Sequence, residues 1–356
     1  MLLDEIAKWN ELYSIPAPKN TIVIALLKEP GGIGDAISLL PAFRHLKKMN
    51  PQSNVIFMTF SAYHHLFKRC KYIDRIIDID LLKSGDDISL PAEAVVIEAE
   101  CSFKEHHKDN VLKSNIRRIC QTEKMTDVDF SYEIEIYDHE LPQIDKTKES
   151  LLKIAAGRKI IGISPAYTMF SRIWQTQYWE ELTNLLQKEG YCVVSLGHED
   201  DLYVKNVDHD GRGEFNPFHI PSILDIFETI FVLNSGMMHI AAINQNIHIV
   251  LINVGQFPAE TYVLYRHGQF GHKTTVVEHS CSIKDQCYQN HLNETSIHKQ
   301  GREFLQKWIR ETGRDFPETH LLLKYICWHY CDKETDKYEC SRILTPQMVF
   351  DTFKQT

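Results

Sequence analysis

The feature that most constrains this chain is a repeated order of elements: a β-branched apolar run, a glycine- or serine-bearing turn, then an amphipathic stretch. Its first copy joins a predicted strand at residues 21–27 to a predicted helix at 36–49 through a glycine turn at 31–34. A second strand follows at 54–60. Strands that alternate with helices form parallel sheets covered by helices on both faces. We therefore expect an α/β fold with doubly wound sheets.

The same order of elements begins again after residue 150. A polar, proline-bearing stretch at 138–150 is typical of a connection between domains, and 356 residues suffice for two hydrophobic cores. We predict two Rossmann-like domains, at 1–150 and 151–344, and a terminal helix at 345–356 that could pack back on the first domain. Open α/β sheets bind ligands beyond the carboxyl ends of their strands. The functional residues are therefore expected at strand ends, in a cleft between the domains.

Composition argues against several classes of protein. The net charge of −9 and the isoelectric point near 6.1 disfavour a nucleic-acid-binding protein, which normally carries a basic surface. The longest apolar runs, such as 22–27 and 247–252, have the length of strands and not the ~20 residues of a membrane span. Asp4 and Glu5 stand where a secretory signal carries positive charge. We expect a cytoplasmic protein without a transmembrane segment, at most peripheral to the inner membrane.

The first glycine turn, Gly31-Gly32-Ile33-Gly34-Asp35, joins a strand to a helix. Glycines such as Gly32 and Gly34 let backbone N–H groups approach a ligand closely, and Asp35 could accept a proton from an attacking hydroxyl. Alternatively, Asp35 only caps its helix and the glycines only allow tight packing. No Gly-Lys-Ser/Thr follows, which argues against a Walker A loop. The spacing also differs from the dinucleotide-binding fingerprint.

Two turns in the second half carry groups that suit a phosphate-bearing ligand. Ser164 and Thr168 follow a predicted strand, and Arg172 comes next, so that hydroxyl donors precede a cation. The alternative is that Arg172 is a solvated loop residue and Trp174 a packing anchor.

The other turn, Asn234-Ser235-Gly236-Met237-Met238-His239, joins a strand to a helix. Ser235 and Gly236 would offer backbone N–H groups to a phosphate at the positive end of that helix. His239 lies about one turn further and could donate to the same phosphate.

Together and in this order, these motifs resemble glycosyltransferase family 9, the ADP-heptose transferases of lipopolysaccharide core synthesis. The resemblance covers most of the chain. The segments that carry it are Pro30-Gly31-Gly32-Ile33-Gly34-Asp35 with the helix after it, residues 51–77, 161–174, 179–197 and 231–242, and Cys340-Ser341-Arg342-Ile343-Leu344-Thr345-Pro346.

The resemblance implies a GT-B fold, in which the first domain holds a glycan or lipid-linked glycan acceptor and the second holds the nucleotide-sugar, here ADP-heptose. It implies that Asp35 activates the acceptor hydroxyl and that the anomeric carbon is attacked with inversion. It also implies that no metal is needed for catalysis, because cations and N–H groups stabilise the departing diphosphate.

The phosphate-side positions of the family correspond here to Arg172, Ser235, Gly236 and His239, and the neighbouring Asn234 stands at a donor-sugar position. Two of these residues depart from the family pattern. The family usually has Lys where Arg172 stands, and Asp where Asn234 stands; the first change keeps the charge but not its shape. The second removes a carboxylate that family members are thought to use on the donor sugar, so both changes bear on which sugar is used.

Five of the nine cysteines crowd into the last quarter of the chain: Cys281, Cys287, Cys327, Cys331 and Cys340. Thiolates can hold a structural zinc or iron ion, but no pair among them has the two-residue spacing of a zinc ribbon. Buried free thiols remain the alternative.

Two further functions stay open at this point. The chain could keep the fold but use another nucleotide-sugar or a protein acceptor. It could also be a non-catalytic nucleotide-sugar-binding protein, since Asn234 replaces a carboxylate. Asp35 favours an enzyme, because a binding module needs no base on the acceptor side.

Overall fold

The computed structural model describes residues 20–26, 32–80, 94–99, 110–122, 124–125, 127–166, 174–254, 274–278 and 344–356. The chain divides into two compact units, residues 1–137 and 138–356. The boundary lies before the predicted connection at 138–150, so those residues belong to the second unit. No helix within the described ranges is long and apolar enough to cross a membrane.

The first unit contains a parallel sheet of four described strands. The strands are β1 (Thr21–Leu26), β2 (Asn54–Thr59), β3 (Arg75–Asp78) and β4 (Val95–Ala99). They lie side by side in the order β3-β2-β1-β4, every neighbouring pair being parallel. Its helices are α1 (Ile33–Ile37), α2 (Leu40–Met49), α3 (His64–Phe67) and α4 (Val111–Cys120). β1 is a central strand of this sheet, and α1 is the next described element after it.

The single helix predicted over 36–49 is wrong, because the structure has two helices there with a turn at Ser38 and Leu39. The reason is Pro41, which occupies the first turn of α2. Proline has no N–H and its ring clashes with the carbonyl four residues earlier, so a helix cannot run through it. Asp35 therefore sits on a separate helix of five residues.

Aromatic rings fill the core between the sheet and the helices of the first unit. Phe43 of α2 meets Phe57 of β2 with ring centroids 4.7 Å apart, and Phe57 meets Phe67 of α3 at 4.6 Å, both edge to face. Such pairs contribute about 0.5–1.5 kcal/mol each beyond their buried area. This packing holds α2 against the sheet and so fixes the position of the turn at Ser38 and Leu39 that precedes it.

The second unit contains a parallel sheet of six described strands. The strands are β5 (Ile160–Ser164), β6 (Cys192–Ser195), β7 (His209–Asp210), β8 (Phe227–Leu233), β9 (His248–Asn253) and β10 (Thr274–Glu278). Their order is β10-β9-β8-β5-β6-β7. Because β5 and β8 are hydrogen-bonded neighbours at the centre, the turns that follow them share the middle of the carboxyl edge.

The helices of this unit are α5 (Leu141–Ala155), α6 (Thr176–Lys188), α7 (Ile220–Ile223), α8 (Gly236–Ala241) and α9 (Pro346–Lys354). The stretch predicted as a connection is thus mostly helix α5. Pro142 does not prevent it, because a proline in the first turn of a helix removes an N–H that has no helical acceptor there.

The terminal helix α9 packs within the second unit. Its N-cap Thr345 accepts a hydrogen bond from Met348 N–H, and the preceding Leu344 carbonyl accepts one from the buried Trp174 indole at 2.7 Å. Phe350 and Phe353 of α9 join the core cluster that contains α6. The apolar face of α9 is therefore covered by its own unit, and its packing on the first domain stays a prediction.

Candidate functional site

The glycine turn of the first unit presents Asp35 half-buried at the carboxyl edge of its sheet. Asp35 is the third residue of α1, and the N-cap position belongs to Gly32, with no side-chain capping bond. The alternative role of Asp35 as the cap of its helix is therefore not what the structure has. A carboxylate so placed can meet a ligand beyond the strand ends.

Gly32 and Gly34 differ in their surroundings. Gly34 is buried, whereas a methyl group added at Gly32 would meet no atom of the described residues within 4 Å. The φ angle of 172° at Gly32 is extended backbone that any residue adopts. Among the described residues, nothing in the packing or the backbone requires glycine at position 32.

A buried tyrosine that sequence reasoning missed lies within electrostatic range of Asp35. Tyr132 is buried, and burial raises its pKa well above the usual value; the nearby Asp35 carboxylate raises the pKa further. Tyr132 therefore stays a neutral phenol at physiological pH. No local pattern marks this tyrosine, because only the tertiary fold brings it to Asp35.

Residues 127–137, here called the strap, carry Tyr132 across the first unit. Arg44 of α2 forms a salt bridge with Asp129 at 3.0 Å and donates to the Ser131 carbonyl. The Glu135 N–H donates to the Arg69 carbonyl at 2.8 Å, and the Arg69 guanidinium donates to the Glu135 carbonyl at 3.0 Å. Because it is tied at several points, the strap holds Tyr132 in a defined position.

In the second unit, two buried hydroxyls stand where β5 and β8 end. Ser164 is the last residue of β5 with 0% exposure, and Ser235 follows β8 with 5%. Neither Oγ has a hydrogen-bond partner among the described residues, and Ser235 is the N-cap of α8 without a side-chain capping bond. An unpartnered buried hydroxyl costs about 1–3 kcal/mol. These two groups are therefore available to a ligand's oxygens.

The remaining residues of the Asn234–His239 turn are packed within the protein. Asn234 and His239 are buried, at the end of β8 and in α8 respectively. α8 has only six residues, so a strong helix dipole, which the sequence interpretation invoked, is not available from so short a helix. What this turn offers is the N–H groups of its first residues, which lack helical acceptors.

The segment at 197–213, called a loop here although it includes β7, follows β6 and is held by the partly buried Arg212. The Arg212 guanidinium binds both oxygens of Asp210, at 2.8 and 2.9 Å, and donates to the Asp201 carbonyl. Its hydrogen bonds hold the pKa of Asp210 below the usual value, against the opposing effect of partial burial. The loop next to the candidate phosphate site is thus held by an ion pair.

Several predicted residues fall outside the described ranges: Thr168, Arg172, Cys281, Cys287, Cys327, Cys331 and Cys340. Within those ranges, no group of three or more histidine, cysteine or acidic residues could hold a metal ion. Burial raises the pKa of the Cys70 and Cys120 thiols to about 12, so neither is a nucleophile at neutral pH.

Comparison of the sequence with protein families gives one match. Residues 103–251 match the sequence model of glycosyltransferase family 9 (heptosyltransferase). The matched segment includes Ser164 and the Asn234–His239 turn. It begins after Asp35, so Asp35 lies outside it. No protein with a curated description matches the chain.

Solved structures resemble the chain over most of its length. A family 9 glycosyl transferase from Veillonella parvula DSM 2008 superposes with a TM-score of 0.62 and 13% identity, covering 96% of this chain and 98% of that one. The iron-containing dodecameric glycosyltransferase TibC from enterotoxigenic E. coli H10407 gives 0.59 and 14%, covering 96% and 77%. The E. coli ADP-heptose lipopolysaccharide heptosyltransferase II gives 0.53 and 16%, covering 74% and 91%. These similarities establish the fold, which is GT-B, as the sequence predicted.

Proposed function

We propose that this chain transfers heptose from ADP-heptose to a hydroxyl of a glycan acceptor, because residues 103–251 match the sequence model of glycosyltransferase family 9 (heptosyltransferase). The acceptor we favour is of the lipopolysaccharide-core type, free or lipid-linked. The reaction would take place in the cytoplasm, with the protein at most peripheral to the inner membrane.

The observation that carries the donor assignment is the pair of hydroxyls at Ser164 and Ser235. Both are buried and unpartnered among the described residues, both lie at the carboxyl ends of central neighbouring strands, and both fall within the matched family segment. A diphosphate has many acceptor oxygens and suits two such donors. Thr168 and Arg172 follow Ser164 in the sequence and would add a hydroxyl and a cation. Gly236 N–H and the Asn234 and His239 side chains would complete the subsite.

Asp35 is the proposed base. Its carboxylate takes the proton of the acceptor hydroxyl as the hydroxyl oxygen forms a bond to the anomeric carbon. The bond from that carbon to the diphosphate oxygen breaks, and ADP leaves with the electron pair. Attack from the face opposite the diphosphate gives inversion. Gly32 and Gly34 would let the acceptor approach the backbone, and Arg172 with the N–H groups would stabilise the leaving diphosphate without a metal ion.

Relatives of the same fold support ADP-heptose as the donor. One is an ADP-heptose lipopolysaccharide heptosyltransferase, and TibC has been solved in complex with ADP-D-β-D-heptose, where its TM-score to this chain is 0.57. Arg172 and Asn234 differ from the usual family residues, so the sugar is the part of the proposal that most needs a test.

A structural metal at the C-terminal cysteines is a separate part of the proposal. TibC is described as iron-containing, and thiolates are suitable ligands for zinc or iron. We expect about one zinc or iron ion per chain by elemental analysis, lost in Cys327→Ser or Cys331→Ser. Protein purified without chelators that holds neither metal would end this part of the proposal.

The first experiment is calorimetric titration of the purified protein with ADP, ADP-heptose, UDP, GDP and their common sugar conjugates. It is repeated on Arg172→Ala, with Arg158→Ala as a control, because Arg158 is bonded to Asp208 elsewhere in the second unit. We expect ADP-heptose to bind and its affinity to fall at least about tenfold, or ~1.4 kcal/mol, in Arg172→Ala alone.

Other outcomes discriminate the alternatives. Preference for a uridine or guanosine ligand would keep the fold and discard heptose. Donor binding with transfer to a protein, and to no glycan, would replace the acceptor class. Binding without turnover on any acceptor would favour the non-catalytic function, and no binding at all would remove the donor assignment.

A further inference from the structure

We propose that Ser38 and Asn115 are positioning residues that hold the backbone of Asp35, so that the carboxylate keeps a fixed orientation toward the acceptor. The inference rests on the proposed role of Asp35 as the base. It concerns two buried side chains that lie outside the glycine turn.

The break between α1 and α2 leaves the Asp35 carbonyl without its helical donor. In a continuous α-helix the N–H of residue 39 would bond to the carbonyl of residue 35. Here Leu39 N–H bonds instead to the Ala36 carbonyl at 3.1 Å. The Ser38 hydroxyl takes its place and donates to the Asp35 carbonyl at 2.6 Å.

Asn115 of α4 fixes that hydroxyl from outside the turn. Its Nδ2 donates to Ser38 Oγ at 2.9 Å and to the Ser38 carbonyl at 3.1 Å. A carbonyl only accepts, so the Ser38 proton must point to Asp35 and leave a lone pair for Asn115. The three groups form one directed chain from α4 to Asp35, in which each bond strengthens the next. Ser38 and Asn115 are 1% and 3% exposed, so water does not compete for these bonds.

The short helix α1 needs such support. Five residues are too few for a helix to be stable by itself, and its Gly32 N-cap gives no side-chain bond. α4, by contrast, is ten residues long, is capped by Asn110, and packs along α2. The hydrogen bonds therefore tie the backbone of Asp35, the proposed base, to the more stable helix α4.

The test compares four variants of the full-length protein. Ser38→Ala and Asn115→Leu each remove one link, and Ser38→Thr keeps a hydroxyl able to bond three or four residues back. Asn110→Ala removes the side-chain cap of the same helix, which weakens α4 but leaves the Ser38 and Asn115 side chains in place. Asn115→Leu also guards against misfolding of Ser38→Ala, because it leaves the bond from Ser38 to Asp35 in place.

Two readouts are measured at a temperature where every variant is folded. Hydrogen exchange of the peptide containing residues 33–39 should quicken at least about fivefold in Ser38→Ala and Asn115→Leu, and remain near wild type in Ser38→Thr and Asn110→Ala. ADP release from ADP-D-β-D-heptose, to acceptor or to water, should show kcat lowered about tenfold to a hundredfold. The donor KM should not change, because the donor residues lie on other elements.

Unchanged exchange at residues 33–39 would overturn the inference whatever the kinetics show. So would kcat losses that only follow thermal stability and appear equally in Asn110→Ala. Failure of the proposed function has a different signature: Asp35→Asn would then keep the wild-type rate. If Asp35→Asn is inactive while Ser38→Ala and Asn115→Leu turn over normally, the base assignment stands and the positioning role alone is wrong.

Discussion

Asp35 and the pair Ser164 and Ser235 both lie near the carboxyl ends of central strands in their sheets. The polar groups around Asp35 are hydrogen-bonded within the protein, whereas, within the described part of the chain, the two serine hydroxyls are not. Around Asp35, the protein supplies the partners itself, as Ser38 and Asn115 show. At the second edge, two buried hydroxyls have no partner among the described residues. The difference suits two tasks. A base must be held still before substrate arrives, whereas a binding subsite must keep donors available for the ligand.

The largest effect should come from Asp35→Asn, which keeps the shape of the side chain but cannot accept the proton. We expect kcat to fall by about 10²–10⁴-fold, the usual contribution of a general base, while the affinity for ADP-heptose measured by calorimetry stays within about twofold. Asp127→Asn is the matched control, since Asp127 is exposed and asparagine tolerates its positive φ angle of 61°. A wild-type rate in Asp35→Asn would show that Asp35 is not the base, and its fixed position would then have no catalytic meaning.

Replacing Gly162 or Gly32 with alanine should distinguish a glycine needed for packing from one needed for ligand binding. A methyl group at Gly162 in β5 would lie 3.0 Å from Ile230 and 3.3 Å from Leu196 and Phe227. We expect Gly162→Ala to lower the free energy of unfolding by about 1–3 kcal/mol. Gly32→Ala meets open space and should unfold like wild type in denaturant, but raise the KM for the acceptor. A marked loss of stability in Gly32→Ala would mean that glycine is needed at position 32 for packing and not for acceptor binding.

Removing the unpartnered hydroxyls should weaken donor binding without harming the fold. In Ser164→Ala and Ser235→Ala we expect the Kd for ADP-heptose to rise about fivefold each, or ~1 kcal/mol. The melting temperature should be unchanged or higher, because no bond within the protein is lost. Ser195→Ala is the control: its hydroxyl is equally buried and unpartnered, but its strand register places it on the opposite face of the sheet from Ser164. Equal weakening in all three would contradict a specific donor subsite.

The smallest effect concerns the loop held by Arg212. Because the folded pKa of Asp210 is lowered, its stabilising effect is present above the unfolded value of about 3.9 and is lost as pH falls through the folded value. The gap in melting temperature between wild type and Asp210→Asn should therefore be constant near neutral pH and close below about pH 4. Asp200→Asn, in an exposed residue of the same loop, should show no such gap. A gap that does not narrow at all between pH 7 and pH 3 would argue against the ion pair.

Local sequence patterns accounted for the strands well and for the helix limits less well. The strand cores at 54–59 and 248–253 appeared where β-branched runs predicted them. Pro41 and Pro142 show the limit of proline as a signal: the first ended a predicted helix, and the second began an unpredicted one. Both outcomes follow from the same missing N–H, and position within the helix decides between them.

The sequence by itself determined the α/β class, the tandem order of two units, the turns at Asp35 and Ser235, and the resemblance to family 9, because these depend on neighbours within a few residues. Only the tertiary structure decided what lies beside those turns. Tyr132 and Asn115 reach Asp35 and Ser38 from distant segments, and Trp174 bonds to Leu344 across most of the second unit. No local pattern encodes such pairs, because contacts between distant residues depend on how whole elements pack. The same holds for which buried hydroxyls find partners inside the protein and which remain for a ligand.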